Sequence, residues 1–265
     1  MITVHHLENS RSQRVLWLLE ELGLDYRIER YARDPRTMLA PPSLRKIHPL
    51  GKSPVLTDGD LVIAESGAIV EYLIDRYGGG RLIPAHGTPD RLRYTYWLHY
   101  AEGSAMTPLL LKLIFERLAK GPMPALVRPI VRRVARRAVT GFIDPQIALH
   151  LDYIEGELGK SAWFAGAEFS GADIQMSFPL EAAVARADST PAGRTSPTSW
   201  CASMGGRPIG GRWTGVASTR CCAELAHWSS RAGRGPSRVA ADGNSDRGCD
   251  CGAPLRLCRQ HPLRV

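Results

Sequence analysis

The apolar pattern predicts an α/β unit of strand, helix, strand, two further strands and helix, followed by an all-helical region. Three observations carry that fold class. "MITVHHL", residues 1–7, reads as a strand and runs directly into Val15, Leu18, Leu19 and Leu22, which recur at the i, i+3, i+4, i+7 spacing of a helix. Asp58-Gly59 stands between the apolar runs of "SPVLTDGDLVIAES", where a tight hairpin turn belongs. From Asp90 to about Ala187 the longer patterned segments are helical.

Taken in order, the first helix starts near Arg11 and stops at Gly23, a residue suited to the left-handed conformation past a helix end. "DYRIERY" follows as a strand with Tyr26 and Ile28 on one face. A strand, helix and strand joined this closely form a parallel βαβ unit. Residues 66–77 form a helix with the stripe Ile69, Val70, Leu73 and Ile74. This order is that of thioredoxin-like domains, but no C-x-x-C stands at the first turn, so thiol–disulfide chemistry of the thioredoxin kind is excluded. The glycines and prolines of "YGGGRLIPAHGTPD" close the unit. The expected organisation is 1–80 for the thioredoxin-like domain, 81–89 for a linker, 90–187 for an all-α domain and 188–265 for a low-order tail.

Within the all-α domain one helix is expected from Asp90 to about Lys120. A second, from about Pro145 to Gly159, carries Ile147, Leu151, Ile154 and Leu158 on one face. A third begins at Gly171, with Ser170 and Asp173 at capping-box spacing and Phe169 placed as a hydrophobic staple. "VRPIVRRVARRAV", residues 127–139, sets Val127, Ile130, Val131 and Val134 against five arginines and reads as a solvated amphipathic helix, with contact to a membrane surface or an acidic partner as the alternative.

Charge and cysteine are both displaced to the tail. The 265 residues carry a net charge of +8, but residues 188–265 hold 11 Arg, no Lys and 5 acidic residues, a net +6, which leaves only +2 for the rest. A nucleic-acid partner is therefore not expected of the body of the protein. All six cysteines lie beyond residue 200. "CDCGAPLRLC" lacks paired zinc-knuckle spacing, and no metal is expected. Two readings of the tail stand: a disordered extension, or an out-of-frame translation, for which the abundance of Gly, Ala, Arg and Pro, residues with GC-rich codons, speaks. No run of 18 apolar residues crosses a membrane and the first residues lack the pattern of a secretory signal, so a cytoplasmic protein is expected.

The chemistry concentrates where the first strand meets the first helix, in "ENSRSQR". A helix N-terminus presents unpaired N–H groups and about half a positive charge, so it favours an anion placed against it. Ser10, with Ser12 and Asn9 as alternatives, can donate a hydrogen bond to a thiolate brought in by a ligand. "HPLGKS" is not a phosphate loop, because Lys46 stands where its first glycine is required.

With "SRSQRVLWLLEELGLDY", "HPLGKSP" and "AESGAI" in this order, the first 187 residues resemble bacterial and fungal glutathione transferases of the serine type. The resemblance implies an enzyme that conjugates glutathione, its co-substrate, to small hydrophobic electrophiles, with no metal. Ser10, four residues before Arg14, would be the catalytic hydroxyl. Ser53, before a cis Pro54, would pair by its backbone with the cysteinyl unit of glutathione, and Lys52 would face the glycyl carboxylate. Glu65 would take the γ-glutamyl ammonium, and Ser66, at a helix N-terminus, the γ-glutamyl carboxylate. The resemblance further implies a homodimer, and an electrophile cleft for whose wall Tyr96, Tyr100, Met106 and Leu110 are candidates, although their helical spacing fits a core role equally. It also implies further bracing helices where this chain turns into its tail. A glutathione-dependent peroxidase or disulfide reductase on the same site, and a non-catalytic binding module, are the alternative functions.

Overall fold

A computed structural model of the chain describes residues 1–8 and 10–185. Asn9, the tail with its cysteines, and the segment where the bracing helices would follow lie outside the described residues.

Strand β1 (Ile2–Leu7) lies inside a four-stranded mixed sheet of order β2-β1-β3-β4. It pairs in parallel with β2 (Tyr26–Tyr31), Val4 opposite Ile28, and antiparallel with β3 (Val55–Asp58), Val4 opposite Leu56. The crossover from β1 to β2 is helix α1 (Ser12–Leu22), whose Val15, Leu18 and Leu19 are fully buried. Gly23 ends it at φ 69°, a left-handed conformation open to glycine without penalty, and its N–H donates to the Glu20 carbonyl. β3 and β4 (Leu61–Ala64) form the expected hairpin, but its loop is Gly59-Asp60, one residue later than the sequence suggested. Asp58 instead pairs with Leu61, and its carboxylate accepts from the Tyr72 hydroxyl (2.9 Å) and from the Tyr77 hydroxyl.

Side chains alternate across the sheet, so the two faces of β1 have different neighbours. Ile2 and Val4 join α1 and α3 (Ser66–Tyr77) in the main core, while Leu7 packs with Tyr31 and Leu44. Leu44 belongs to the short helix α2 (Pro42–Ile47), which the sequence reading did not contain. Six residues give too few turns for an apolar stripe to show.

The helical region is α4 (Pro89–Tyr100), α5 (Met106–Lys120), α6 (Arg128–Ala138), α7 (Asp144–Leu158) and α8 (Gly171–Val184). α4 and α5 form the expected long helix, interrupted by a π-helical turn at Ala101–Ala105; a second, Val139–Ile143, joins α6 to α7. Each wide turn lies just ahead of a proline, Pro108 and Pro145, whose missing N–H leaves a regular helical ladder incomplete. Tyr94, Trp97, Ala172 and Ile174 belong to the same core cluster as α1 and α3. The Gly171 N–H donates to the Leu82 carbonyl at 2.8 Å, tying the start of α8 to the segment that follows α3. α6 is helical as expected, and its apolar side faces outward too: Ile130 is 64% and Val134 58% exposed.

Candidate functional site

β1 delivers the chain to the mouth of α1, where Ser10 lies 7% exposed. Its hydroxyl is 2.8 Å from the Ser12 hydroxyl and 3.2 Å from that of Ser53. The Ser12 N–H also approaches the Ser10 oxygen, at 3.4 Å. Ser10 is not the residue that caps the helix. α1 opens at Ser12 with Arg11 at the N-cap position, and the Arg11 side chain makes no capping bond. The Ser10 hydroxyl is therefore available to a ligand at the positive end of the helix.

Ser53 precedes Pro54 across a cis peptide bond, just before β3. The Ser53 hydroxyl donates to the His5 carbonyl at 3.0 Å and accepts from the Leu7 N–H at 3.3 Å, which fixes the turn against β1. Pro54 is buried, and Lys52 is exposed beside it. The structure thus brings Ser10 and Ser53 together from positions 43 residues apart.

The other expected residues stand at the head of α3. Glu65 is exposed and holds φ 71°, ψ 121°, a conformation rare for a residue with a side chain and costing about 1–3 kcal/mol. It turns the chain from β4 into α3, whose first-turn N–H groups have no partner within the helix. Ser66 is buried. Its oxygen accepts from Arg14 Nη2 (3.2 Å) and from Gln175 Nε2 (3.3 Å), so its own O–H remains to donate.

Arg14 is the organiser that sequence reasoning treated only as a spacing mark. It is fully buried, and beyond Ser66 it donates from Nη1 to the Gln175 carbonyl (2.7 Å) and from Nη2 to the Glu102 carboxylate. Glu102, on the first π-helical turn, also accepts two bonds from Arg11 Nε, at 2.9 and 3.1 Å. One guanidinium thus joins α1, α3, α8 and the α4–α5 turn. The sequence did hold a signal: Arg14 stands on the α1 stripe beside Val15 and Leu18, where a charge stays only if paired.

The four expected wall residues fall in different surroundings. Tyr96 and Tyr100 stack on each other, Tyr153 of α7 meets them edge-on and tilted, and the Tyr100 hydroxyl lies 2.6 Å from His150 Nδ1. Met106 is buried with Leu109, Ile143 and Ile147, while Leu110 is exposed. Tyr100 and Met106 serve the packing of the helices, while Tyr96 and Leu110 are exposed. Ser170 and Asp173 do form the expected box: Asp173 accepts from the Ser170 N–H (2.8 Å), the Ser170 hydroxyl (2.9 Å) and the Phe164 N–H (2.9 Å). Phe169 packs on Trp17 and Trp163. Among the described residues no group of three or more His, Cys, Asp or Glu could hold a metal, and no helix is long and apolar enough to cross a membrane.

Comparison with known proteins agrees with this geometry. Residues 10–76 match the family described as "Glutathione S-transferase, N-terminal domain". The chain is 38% identical to glutathione S-transferase 3 of Schizosaccharomyces pombe over 184 residues, which cover 69% of this chain and 74% of the relative. It is 34% identical to glutathione S-transferase 1 of Saccharomyces cerevisiae over 207 residues, 76% of this chain and 88% of the relative. The crystal structure of a glutathione S-transferase from Actinobacillus pleuropneumoniae superposes with a TM-score of 0.56 at 38% identity, covering 70% of this chain and 79% of that one. A sheet unit with the Ser10, Ser53 and Ser66 corner, a helical region packed on it, and relatives matched over most of their length place this chain in the glutathione S-transferase family.

Proposed function

We propose that the protein is a glutathione transferase in which the Ser10 hydroxyl donates to the glutathione thiolate and stabilises it for attack on a small hydrophobic electrophile. The observation that carries the reading is the Ser10 hydroxyl itself, buried at the mouth of α1 and in contact with Ser53. A free thiol has a pKa of about 8.5, and lowering it by one to two units contributes roughly 1.4 kcal/mol per unit of thiolate stabilisation. Ser10 acts as a donor, since its own proton is held too tightly for it to serve as a base.

The remaining contacts follow from charge and geometry. Lys52 offers its ammonium to the glycyl carboxylate, and the Ser53 backbone pairs with the cysteinyl unit as an added strand would. The Ser66 O–H and the first-turn N–H groups of α3 hold the γ-glutamyl carboxylate, with Glu65 taking the ammonium. The fully buried Arg14 keeps that corner rigid. We further propose the division into 1–80, 81–89 and 90–187, a homodimer and a cytoplasmic site of action.

Conjugation of chlorodinitrobenzene tests the reading. Ser10→Ala is expected to lower kcat/KM by roughly 10- to 100-fold, the kinetic equivalent of one to two pKa units, while calorimetric glutathione affinity changes little. Wild-type activity in Ser10→Ala, with Ser12→Ala lowered roughly 10- to 100-fold, would move the role to Ser12.

A further inference from the structure

Behind Ser10 runs a line of hydrogen bonds that ends on a histidine. His6 Nδ1 lies 2.8 Å from the Ser12 hydroxyl, which lies 2.8 Å from that of Ser10, which in turn lies 3.2 Å from that of Ser53. His6 and Ser12 are buried, and His6 stands on the β1 face that carries Ile2 and Val4 toward α1.

The direction of each bond follows from one fixed end. The His5 carbonyl can only accept, so the Ser53 hydroxyl spends its single proton there. Ser10 must therefore be the donor to Ser53. With its own proton spent, Ser10 can only accept from Ser12, and Ser12 in turn can only accept from His6. Nδ1 of His6 therefore carries a proton, and the partner it bonds selects that tautomer.

We propose that His6 is a positioning residue for the Ser10 hydroxyl, its Nδ1–H acting through Ser12 to keep Ser10 a donor. When the glutathione sulfur arrives, the Ser10 proton turns from Ser53 to sulfur and nothing upstream rearranges. Each donor in the line polarises the next, which strengthens the final O–H toward the thiolate. The effect needs no charge on the imidazole. Burial holds the His6 pKa below its usual value, Arg30 on the adjacent strand pushes the same way, and Glu8 opposes them.

This inference rests on the Ser10 reading, and the test separates the two. The pKa of enzyme-bound glutathione is titrated by thiolate ultraviolet absorbance in wild type, Ser10→Ala, Ser12→Ala, His6→Phe and His6→Asn. Ser12→Ala and His6→Phe are expected to raise the thiolate pKa by about half a unit or more, with glutathione affinity unchanged. The double variant should be no worse than either single one, because both cut the same line. His6→Asn places an amide N–H near the position of Nδ1 and should recover the wild-type value, which a merely structural histidine would not explain. Wild-type titration by Ser12→Ala and His6→Phe, with Ser10→Ala shifted, overturns the role of His6 and leaves Ser10 standing. An unshifted Ser10→Ala overturns both. If His6→Phe does not fold, His6→Gln, whose amide cannot take the position of Nδ1, replaces it, and a wild-type titration by that variant overturns the role of His6.

Discussion

Replacing Asp173 by alanine removes one carboxylate and strands the donors that converge on it. The Ser170 N–H, the Ser170 hydroxyl and the Phe164 N–H all point at its two oxygens, at 2.8 to 2.9 Å, and the side chain is 1% exposed. The hydroxyl can rotate to another partner, but the two backbone N–H groups cannot. Each buried donor left unpaired costs about 1–3 kcal/mol, so Asp173→Ala should destabilise by about 4 kcal/mol. That is a large part of a typical 5–15 kcal/mol total, and in a chain of this size it lowers Tm by about 8–16 °C. Asn keeps one acceptor and should cost about half as much. Burial pushes the Asp173 carboxyl up to about 6 against the pull of its three donors, so the urea titration belongs near pH 8, where it is ionised. The urea midpoint should fall with the slope unchanged. A loss below about 1 kcal/mol for Asp173→Ala would refute the assignment of these donors to Asp173.

Arg14→Lys keeps the charge but cannot reach Ser66, Glu102 and the Gln175 carbonyl at once; denaturant titration should show a loss of about 2–4 kcal/mol. Gly171→Ala sets a methyl 2.5 Å from Ile74 Cδ1 and 3.0 Å from Val70 Cγ1, an overpacking expected to cost about 1–3 kcal/mol in the same assay. Glu181 is part-buried, and burial pushes its pKa up to about 7, with Gln13 and Arg14 working the other way. The folded chain thus holds this proton after the unfolded chain has lost it, and the contribution of Glu181 to stability falls as pH rises from about 4.5 to 7. Glu181→Gln should match wild type near pH 4 and exceed it by up to about 3 kcal/mol near pH 8; a pH-independent difference in stability curves would contradict this.

The sheet unit was legible because period and punctuation agreed along it. The α1 stripe, Gly23 and the glycine-bearing hairpin each admit few conformations, and the capping box was readable for the same reason. The short helix α2 and the two π-helical turns were not legible. One has too few residues for a pattern, and the others follow from where Pro108 and Pro145 fall relative to tertiary packing. In the site, Ser10 and Ser53 could be named from local motifs, but their 3.2 Å contact spans 43 residues of chain. The buried role of Arg14 and the line from His6 to Ser10 depend on which side chains face each other across β1, α1 and α3. Periodicity carries no such distances. Tyr100 and Met106 show the converse, since their spacing along a helix fitted a cleft wall and a packed core equally, and the core is where they lie.

The central claim is that the Ser10 hydroxyl holds bound glutathione as a thiolate, and its most direct test is the thiolate absorbance of the glutathione complex at neutral pH, wild type against Ser10→Ala. The account predicts a strong thiolate signal in wild type, its pKa one to two units below the free value of about 8.5, and its loss in Ser10→Ala. An equal thiolate signal in both proteins, at equal glutathione occupancy, would contradict it.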